Sequence, residues 1–233
     1  MQEYFTRRTM LRAAGVTAAS GLLEQGAMAG EANADSTQKL LVVGVSCSPR
    51  KGMTTATAVK ESLDAASAAN SRIETALLDL GELTIGGSDG SSSSGGTGVE
   101  DDFESLLPVL RAPNLFGLII GSPTYFRTMS SLCKAFLERL AILREPTLLL
   151  ANVPVGVLSV GAYRNGGQEL VIEQIQAAML CHEVMIVGGK PRAHQGATLW
   201  NGFEDDIMKD ELGIESARKL GVRVAEAAAR IAR

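Results

Sequence analysis

Cysteine is scarce in this chain: its 233 residues contain three, Cys47, Cys133 and Cys181, far apart. No C-x-x-C pair and no Cys/His cluster occurs, which argues against a zinc site and a thioredoxin-type redox pair. An odd count argues against a disulfide framework. An excess of positive charge is also missing. The 22 Lys and Arg stand against 26 Asp and Glu, for a net charge of −4, so nucleic acid is not an expected ligand. No apolar run is long enough to span a bilayer. The best, residues 13–23, is short and rich in Ala and Gly, so no stable membrane insertion of the mature domain is expected. Neither the dinucleotide fingerprint G-x-G-x-x-G nor the Walker loop G-x-x-x-x-G-K-[ST] is present. A nucleophilic triad, an H-E-x-x-H helix and a carboxylate-pair motif are likewise missing. No catalytic side chain and no metal ligand is therefore assigned.

What remains is ordinary globular material. Hydrophobic residues make up 45% and charged residues 21%, in a chain long enough for one sizeable core. The N-terminus reads as a targeting segment. Arg7 and Arg8 precede a weakly apolar stretch, and small residues follow in the A-x-A patterns Ala27-Met28-Ala29 and Ala32-Asn33-Ala34. This order is that of an export signal, and the arginine pair resembles the twin-arginine type, which carries proteins already folded. Residues 1–38 are assigned to this signal and a flexible N-terminus, and residues 39–233 to one domain. The expected location is outside the cytoplasm, reached in folded form.

The most informative stretch is SCSPRKGMTT, residues 46–55. An apolar run, 40–45, leads in, and a helical pattern, 56–69, leads out. Amides at a helix start lack intrahelical partners and carry partial positive charge, which suits an anion. Ser46, Ser48, Thr54 and Thr55 add hydroxyls, Arg50 and Lys51 add charge, and Gly52 permits a tight path. The pattern is that of a phosphate cradle for a monophosphate such as that of FMN. A plain strand-to-helix turn with Thr54 as N-cap is the alternative.

Further along, apolar runs at 73–80, 115–121, 153–160 and 183–187 read as strands. Residues 100–111 (kinked or shortened by Pro108), 132–143, 169–180 and 214–231 read as helices. The Gly/Ser-rich stretch 86–98 is an internal loop. Residues 188–213, with His194 and Trp200, read as irregular, and these two as loop-packing or dimer-contact residues. Five alternations of strand and helix predict an open, mostly parallel α/β sheet with helices on both faces. Ligands of such sheets sit at the carboxyl ends of the strands. Three loops follow strands there: 46–55, 122–131 and 161–168. The second brings Pro123, Thr124, Tyr125 and Phe126, suited to a flat ring system. The third brings Gly161, Tyr163, Arg164, Asn165 and Gly166, whose glycines allow amides close to a ligand; Asn165 as a helix N-cap is the alternative.

The stretches VGVSCSPRKGMTTA, IIGSPTYFRTMSSLCKAFLERL and GAYRNGGQE resemble the NADPH-dependent FMN reductases, and among them the branch related to iron–sulfur flavoproteins. The resemblance runs from about Leu40 to the C-terminus. It implies a flavodoxin-like, doubly wound five-stranded parallel sheet of order 2-1-3-4-5, with FMN as cofactor and NAD(P)H as co-substrate. It implies that Ser48, Arg50, Thr54 and Thr55 hold the FMN phosphate, with Ser46 beside them. Pro123, Thr124, Tyr125 and Phe126 would border the isoalloxazine, and Gly161, Tyr163, Arg164, Asn165 and Gly166 would meet its pyrimidine side. It also implies a homodimer or homotetramer. Two departures stand out. Thr54 occupies the place of the family's Asn, and the branch's cysteine cluster after the second strand is replaced by the cysteine-free Gly/Ser loop, which excludes a thiolate-held cluster there.

The expected activity is hydride transfer from reduced nicotinamide through FMN to a small acceptor: a quinone, a free flavin or another oxidant. Two other classes stay open at this point: a non-enzymatic flavodoxin-like shuttle that docks to a redox partner, and a flavin-free thiol enzyme using Cys47, with its pKa lowered by the helix start.

Overall fold

The computed structural model describes residues 38–90, 101–191 and 193–232. The expected export segment lies outside these residues except for Gln38, as do residues 91–98 of the Gly/Ser stretch. β1 (Leu40–Ser46) is a run of branched aliphatics, the composition of a strand covered on both faces. It pairs in parallel with β2 (Ile73–Asp79) on one side and β3 (Leu115–Pro123) on the other. β4 (Pro154–Gly161) continues the parallel sheet beyond β3. The far edge is divided. β5 (Met185–Ile186) pairs with the start of β4, and β6 (Ala197–Trp200) with its end, from Leu158 to Gly161.

The strand order β2-β1-β3-β4-β5 is the expected one, and the sheet is α/β and flavodoxin-like. It has six strands rather than five because the last position is shared. β6 falls within residues 188–213, read from sequence as irregular. Its four residues, ATLW, lie between Gly196 and Asn201, too few to display an alternation.

Side-chain alternation sends the two faces of the sheet into separate cores. Val43 and Val45 pack with Phe103, Phe136 and Ile175 on one face. Leu40 and Val42 pack with Val59, Leu63, Leu220 and Val224 on the other. The second face is covered by α1 (Thr54–Ala69) and, near the C-terminus, α5 (Glu211–Ile231). The first is covered by α2 (Leu107–Leu110), α3 (Ser131–Arg139) and α4 (Gln168–Leu180). As Pro108 foretells, residues 101–111 do not form one helix. A 3-10 turn, Asp102–Leu106, runs into the single turn of α2, with Pro108 at its start. α3 likewise ends in a 3-10 turn, Leu140–Leu143.

α1 and α5 lie very close to the sheet and to each other. A Cβ on Gly44 would come within 2.5 Å of Val59, and one on Gly156 within 2.8 Å of Val224. A Cβ on Gly221 would stand 1.8 Å from the Ser62 carbonyl oxygen, so backbone meets backbone where the two helices touch.

The described residues on either side of the Gly/Ser stretch are bonded to each other. The Thr84 amide donates to Asp102 Oδ2 at 2.7 Å, and the Asp102 amide returns a bond to Thr84 O at 2.9 Å. Asp101 is buried. It accepts from the Gly86 amide at 2.9 Å and the Phe103 amide at 3.1 Å, and it pairs with Arg139, whose guanidinium lies 4.7 Å over the Phe103 ring. Burial opposes the charged carboxylate; the amide donors and Arg139 outweigh it and hold Asp101 below the usual carboxylate range.

His182, just after α4, is 5% exposed, and its Nδ1 has no partner among the described residues. Burial, and then the charge of Arg144, lower its pKa from 6.5 to about 4. The unfolded chain therefore takes up this proton at higher pH than the folded one. The stabilising contribution is complete above 6.5 and is lost as pH falls toward 4. Urea unfolding followed across this window will show stability declining, and His182→Gln will flatten that part of the profile.

Candidate functional site

Because β1, β3 and β4 are parallel, the three loops predicted to act together emerge on one rim. The first leaves β1 at Ser46, which the structure places within the strand. α1 begins at Thr54, with Met53 rather than Thr54 at the N-cap and no side-chain cap bond. The Thr57 amide is the first in the helix to find a backbone acceptor, the Met53 carbonyl. The amides of Thr54, Thr55 and Ala56 have no protein acceptor among the described residues, so they remain available to an anion. Thr54 and Thr55 are buried. The Ser46 hydroxyl is fully buried without a partner, on the same side of the sheet as α1 by strand alternation. A buried hydroxyl left unpaired is costly in a finished protein, and at a phosphate-type corner it fits an absent ligand oxygen.

The loop between is fixed from outside. The Gly52 amide donates to Asp79 Oδ2 at 2.7 Å and the Gly81 amide to Asp79 Oδ1 at 3.2 Å, so the carboxylate ending β2 holds it. Ser48 Oγ accepts from the Arg50 amide at 3.1 Å, and Arg50 reaches Asp205 at 2.7 Å. Asp205 belongs to a fourth rim segment, residues 201–206, within the stretch 188–213 that reads as irregular in sequence. That segment is docked on the third loop: the Asn201 amide donates to Gly161 O at 2.9 Å and the Gly202 amide to Ala162 O at 3.1 Å.

In the second loop Pro123 closes β3 instead of starting the loop. The Thr124 amide donates to Val160 O at 2.8 Å, and its hydroxyl meets Ser159 Oγ at 2.8 Å. Tyr125 and Thr128 exchange two backbone bonds across a tight turn whose tip is Phe126 and Arg127, both with positive φ. Left-handed backbone at two successive side-chain-bearing residues costs roughly 1–2 kcal/mol each. It leaves Phe126 wholly exposed and Tyr125 42% exposed.

In the third loop the residue before α4 is Gly167, at φ 103°, so Asn165 is not the N-cap. A Cβ on Gly167 would lie 3.1 Å from Arg127, which brings the second and third loops together. Gln168 holds the loop, donating to the carbonyls of Tyr163 and Leu199 and accepting from the Gly166 amide at 2.9 Å. Tyr163 packs edge-on against Phe203 at 4.9 Å. Arg164 stacks over Trp200 at 5.0 Å and lies 3.5 Å from Asp210, so Trp200 is a partner of the site loop. A cavity of about 670 Å³ lies beside the first loop between Pro49, Leu83, Ile85 and Leu132, not over the converging loops.

Cys47 does not suit nucleophilic chemistry. It is fully buried, and burial and then the adjacent Cys133 push its thiol well above the ordinary value, the reverse of the lowering expected at a helix start.

An open parallel sheet of this strand order, with an anion-ready corner and two further loops on the same rim, defines a protein of the flavodoxin-like fold. The family profile for NADPH-dependent FMN reductases matches residues 40–197, and the chain belongs to that family. An iron–sulfur flavoprotein of Methanocaldococcus jannaschii is 36% identical over 189 residues, 79% of this chain and 95% of the relative. Another, from Methanosarcina thermophila, is 30% identical over 180 residues, 77% of this chain and 92% of the relative. Among solved structures, a flavone reductase superposes with a TM-score of 0.61 at 16% identity, over 82% of this chain and 64% of that one. RosB, determined with 8-demethyl-8-formylriboflavin-5′-phosphate, gives 0.61 at 16% identity over 83% and 80% of the two chains. These two likenesses bear on the fold alone.

The iron–sulfur part of the relatives' description does not fit this chain. Cys47 and Cys133 are buried in the core beneath the first loop, and Cys181 follows α4, at the opposite end of the sheet. Among the described residues no three His, Cys, Asp or Glu are grouped to hold a metal ion, and residues 91–100 contain no cysteine. With a disulfide-exchange reagent the native protein will show one fast thiol, Cys181, and all three only after denaturation. Fast modification of Cys47 in the native state would contradict this burial.

Proposed function

We propose that the protein is an FMN-dependent oxidoreductase that takes reducing equivalents from NADH or NADPH and delivers them to a small acceptor such as a quinone or a free flavin. The observation that carries the reading is the uncapped start of α1 beside the buried, unpartnered hydroxyl of Ser46. When bound, FMN supplies two-electron chemistry between a reduced nicotinamide and the acceptor. The chain's part is binding and orientation. Ser46, Ser48, Thr54 and Thr55 hold the phosphate with the first-turn amides of α1, and Arg50 offsets its charge. Pro123, Thr124, Tyr125 and Phe126 border the rings and restrict water. Backbone donors at Tyr163 and Asn165 serve the pyrimidine edge, Gly161 and Gly166 allow the loop to approach it closely, and Arg164 stands behind them.

Calorimetric titration with FMN is expected to give one site per chain. Thr54→Val with Thr55→Val is expected to weaken it by about tenfold or more, roughly one charge-assisted hydrogen bond. Steady-state oxidation of NADPH or NADH by the FMN-loaded protein alone, without an added reductase, separates a reductase from an electron shuttle. No heat with micromolar FMN would overturn the reading.

We further propose that the protein works outside the cytoplasm as a homodimer or homotetramer, exported after folding around FMN. Fractionation of the producing cell will place the wild type outside the cytoplasm. Arg7→Lys with Arg8→Lys will retain it inside with flavin bound; unchanged export of that variant would count against the twin-arginine route.

A further inference from the structure

The phosphate corner and the ring loop lie far apart in sequence, yet one flavin must engage both. Between them runs a chain of buried hydrogen bonds that starts at the Cys47 carbonyl, just past β1, and continues through hydroxyls at the ends of β3 and β4. At the end of β1 the Cys47 amide still donates to the sheet, to Gly121 O at 2.8 Å. The Cys47 carbonyl has passed beyond it and takes its hydrogen bond from Ser130 Oγ at 2.6 Å. Ser130 is 1% exposed. The same oxygen caps α3, accepting from the Cys133 amide at 3.0 Å. The Ser130 amide donates to Ser122 Oγ at 3.1 Å, and Ser122 Oγ donates to Pro123 O at 2.9 Å. Ser159 Oγ donates to Ser122 O at 3.0 Å and meets Thr124 Oγ1 at 2.8 Å. Ser122 and Ser159 are both fully buried.

A helix cap alone asks only for an acceptor facing its own helix. Ser130 goes further, spending its single O–H on a carbonyl of the phosphate loop, 83 residues away. Its backbone amide continues the path through Ser122 and Ser159 to Thr124, in the ring loop. We propose that Ser130 is a positioning residue: its hydroxyl fixes the distance between the phosphate corner and the ring loop, so that both grip the same FMN molecule. The proposal rests on the flavin reading above. Phosphate and rings are two epitopes joined by the ribityl chain. Binding at one raises the effective concentration at the other only if the two loops stand at the matching separation.

The test compares FMN with riboflavin, which has the same rings and no phosphate. Loss of the Ser130 tie will leave riboflavin binding within about twofold of wild type. It will weaken FMN binding about tenfold, the effect of one lost buried hydrogen bond. The ratio of the two dissociation constants therefore falls in Ser130→Ala. Ser130→Gly gives the same result with less harm to the α3 start, because glycine is tolerated at an N-cap, and serves if the alanine variant folds poorly. Ser130→Thr restores the hydroxyl and the wild-type ratio. A purely structural role would lower melting temperature and weaken both ligands together, leaving the ratio unchanged; that result, or no change in either ligand, overturns the proposal. If wild type binds neither FMN nor riboflavin, the flavin reading fails first, and that outcome is visible before any variant is made.

Discussion

The amides at the start of α1 have no acceptor within the described protein, and much of the rim's arrangement follows from that. A strand buried on both faces delivers the chain to the sheet's edge with its amides satisfied by the neighbouring strands. The first residues beyond it must turn, and the helix that begins at Thr54 takes no side-chain cap. Everything close by holds this corner open rather than closing it. Asp79 fixes the loop from the β2 side, Ser130 from the β3 side, and Asp205 engages Arg50 from the segment after β6. Such a site is electrostatically prepared before any ligand arrives, because the donors are backbone groups held by the fold.

Much of this was legible in the residues. The apolar runs leading to Ser46, Pro123 and Gly161 are long enough to identify buried strands. Their alternation with helical patterns makes the sheet parallel, and a parallel sheet brings the loops together without further information. What escaped were contacts whose partners are distant in sequence. Ser130 looks like any serine before an apolar helix, and its bond to Cys47 is set only once β1 and β3 lie side by side. Asp205 stands in an acidic, aperiodic stretch with nothing to connect it to Arg50. β6 is too short for periodicity to detect. Met53 and Gly167 take the cap positions that the alternative readings gave to Thr54 and Asn165, because tertiary placement of the loops outweighs local capping preference.

Aromatic residues are few, and their distribution follows the same division. Phe103 and Phe136 are fully buried and fill one core, with Arg139 stacked on the first. Tyr125, Phe126, Tyr163, Trp200 and Phe203 all lie on the rim. Two of them, Phe126 and Phe203, have left-handed backbone, a conformation a phenylalanine rarely adopts. Strain of that kind gathers where a surface is shaped for contact. The glycine-lined side under α1 and α5, by contrast, is given to tight packing.

The divided margin of the sheet has a consequence for the molecule's behaviour in a crowded compartment. A long, flat outer strand invites a foreign strand to join it. Here the outer position beyond β4 is two pieces, of two and four residues, interrupted by a turn-rich insertion around Gly188 and Gly196. No continuous row of backbone donors and acceptors is offered on that side, so polymerisation by strand addition there is disfavoured by the architecture itself.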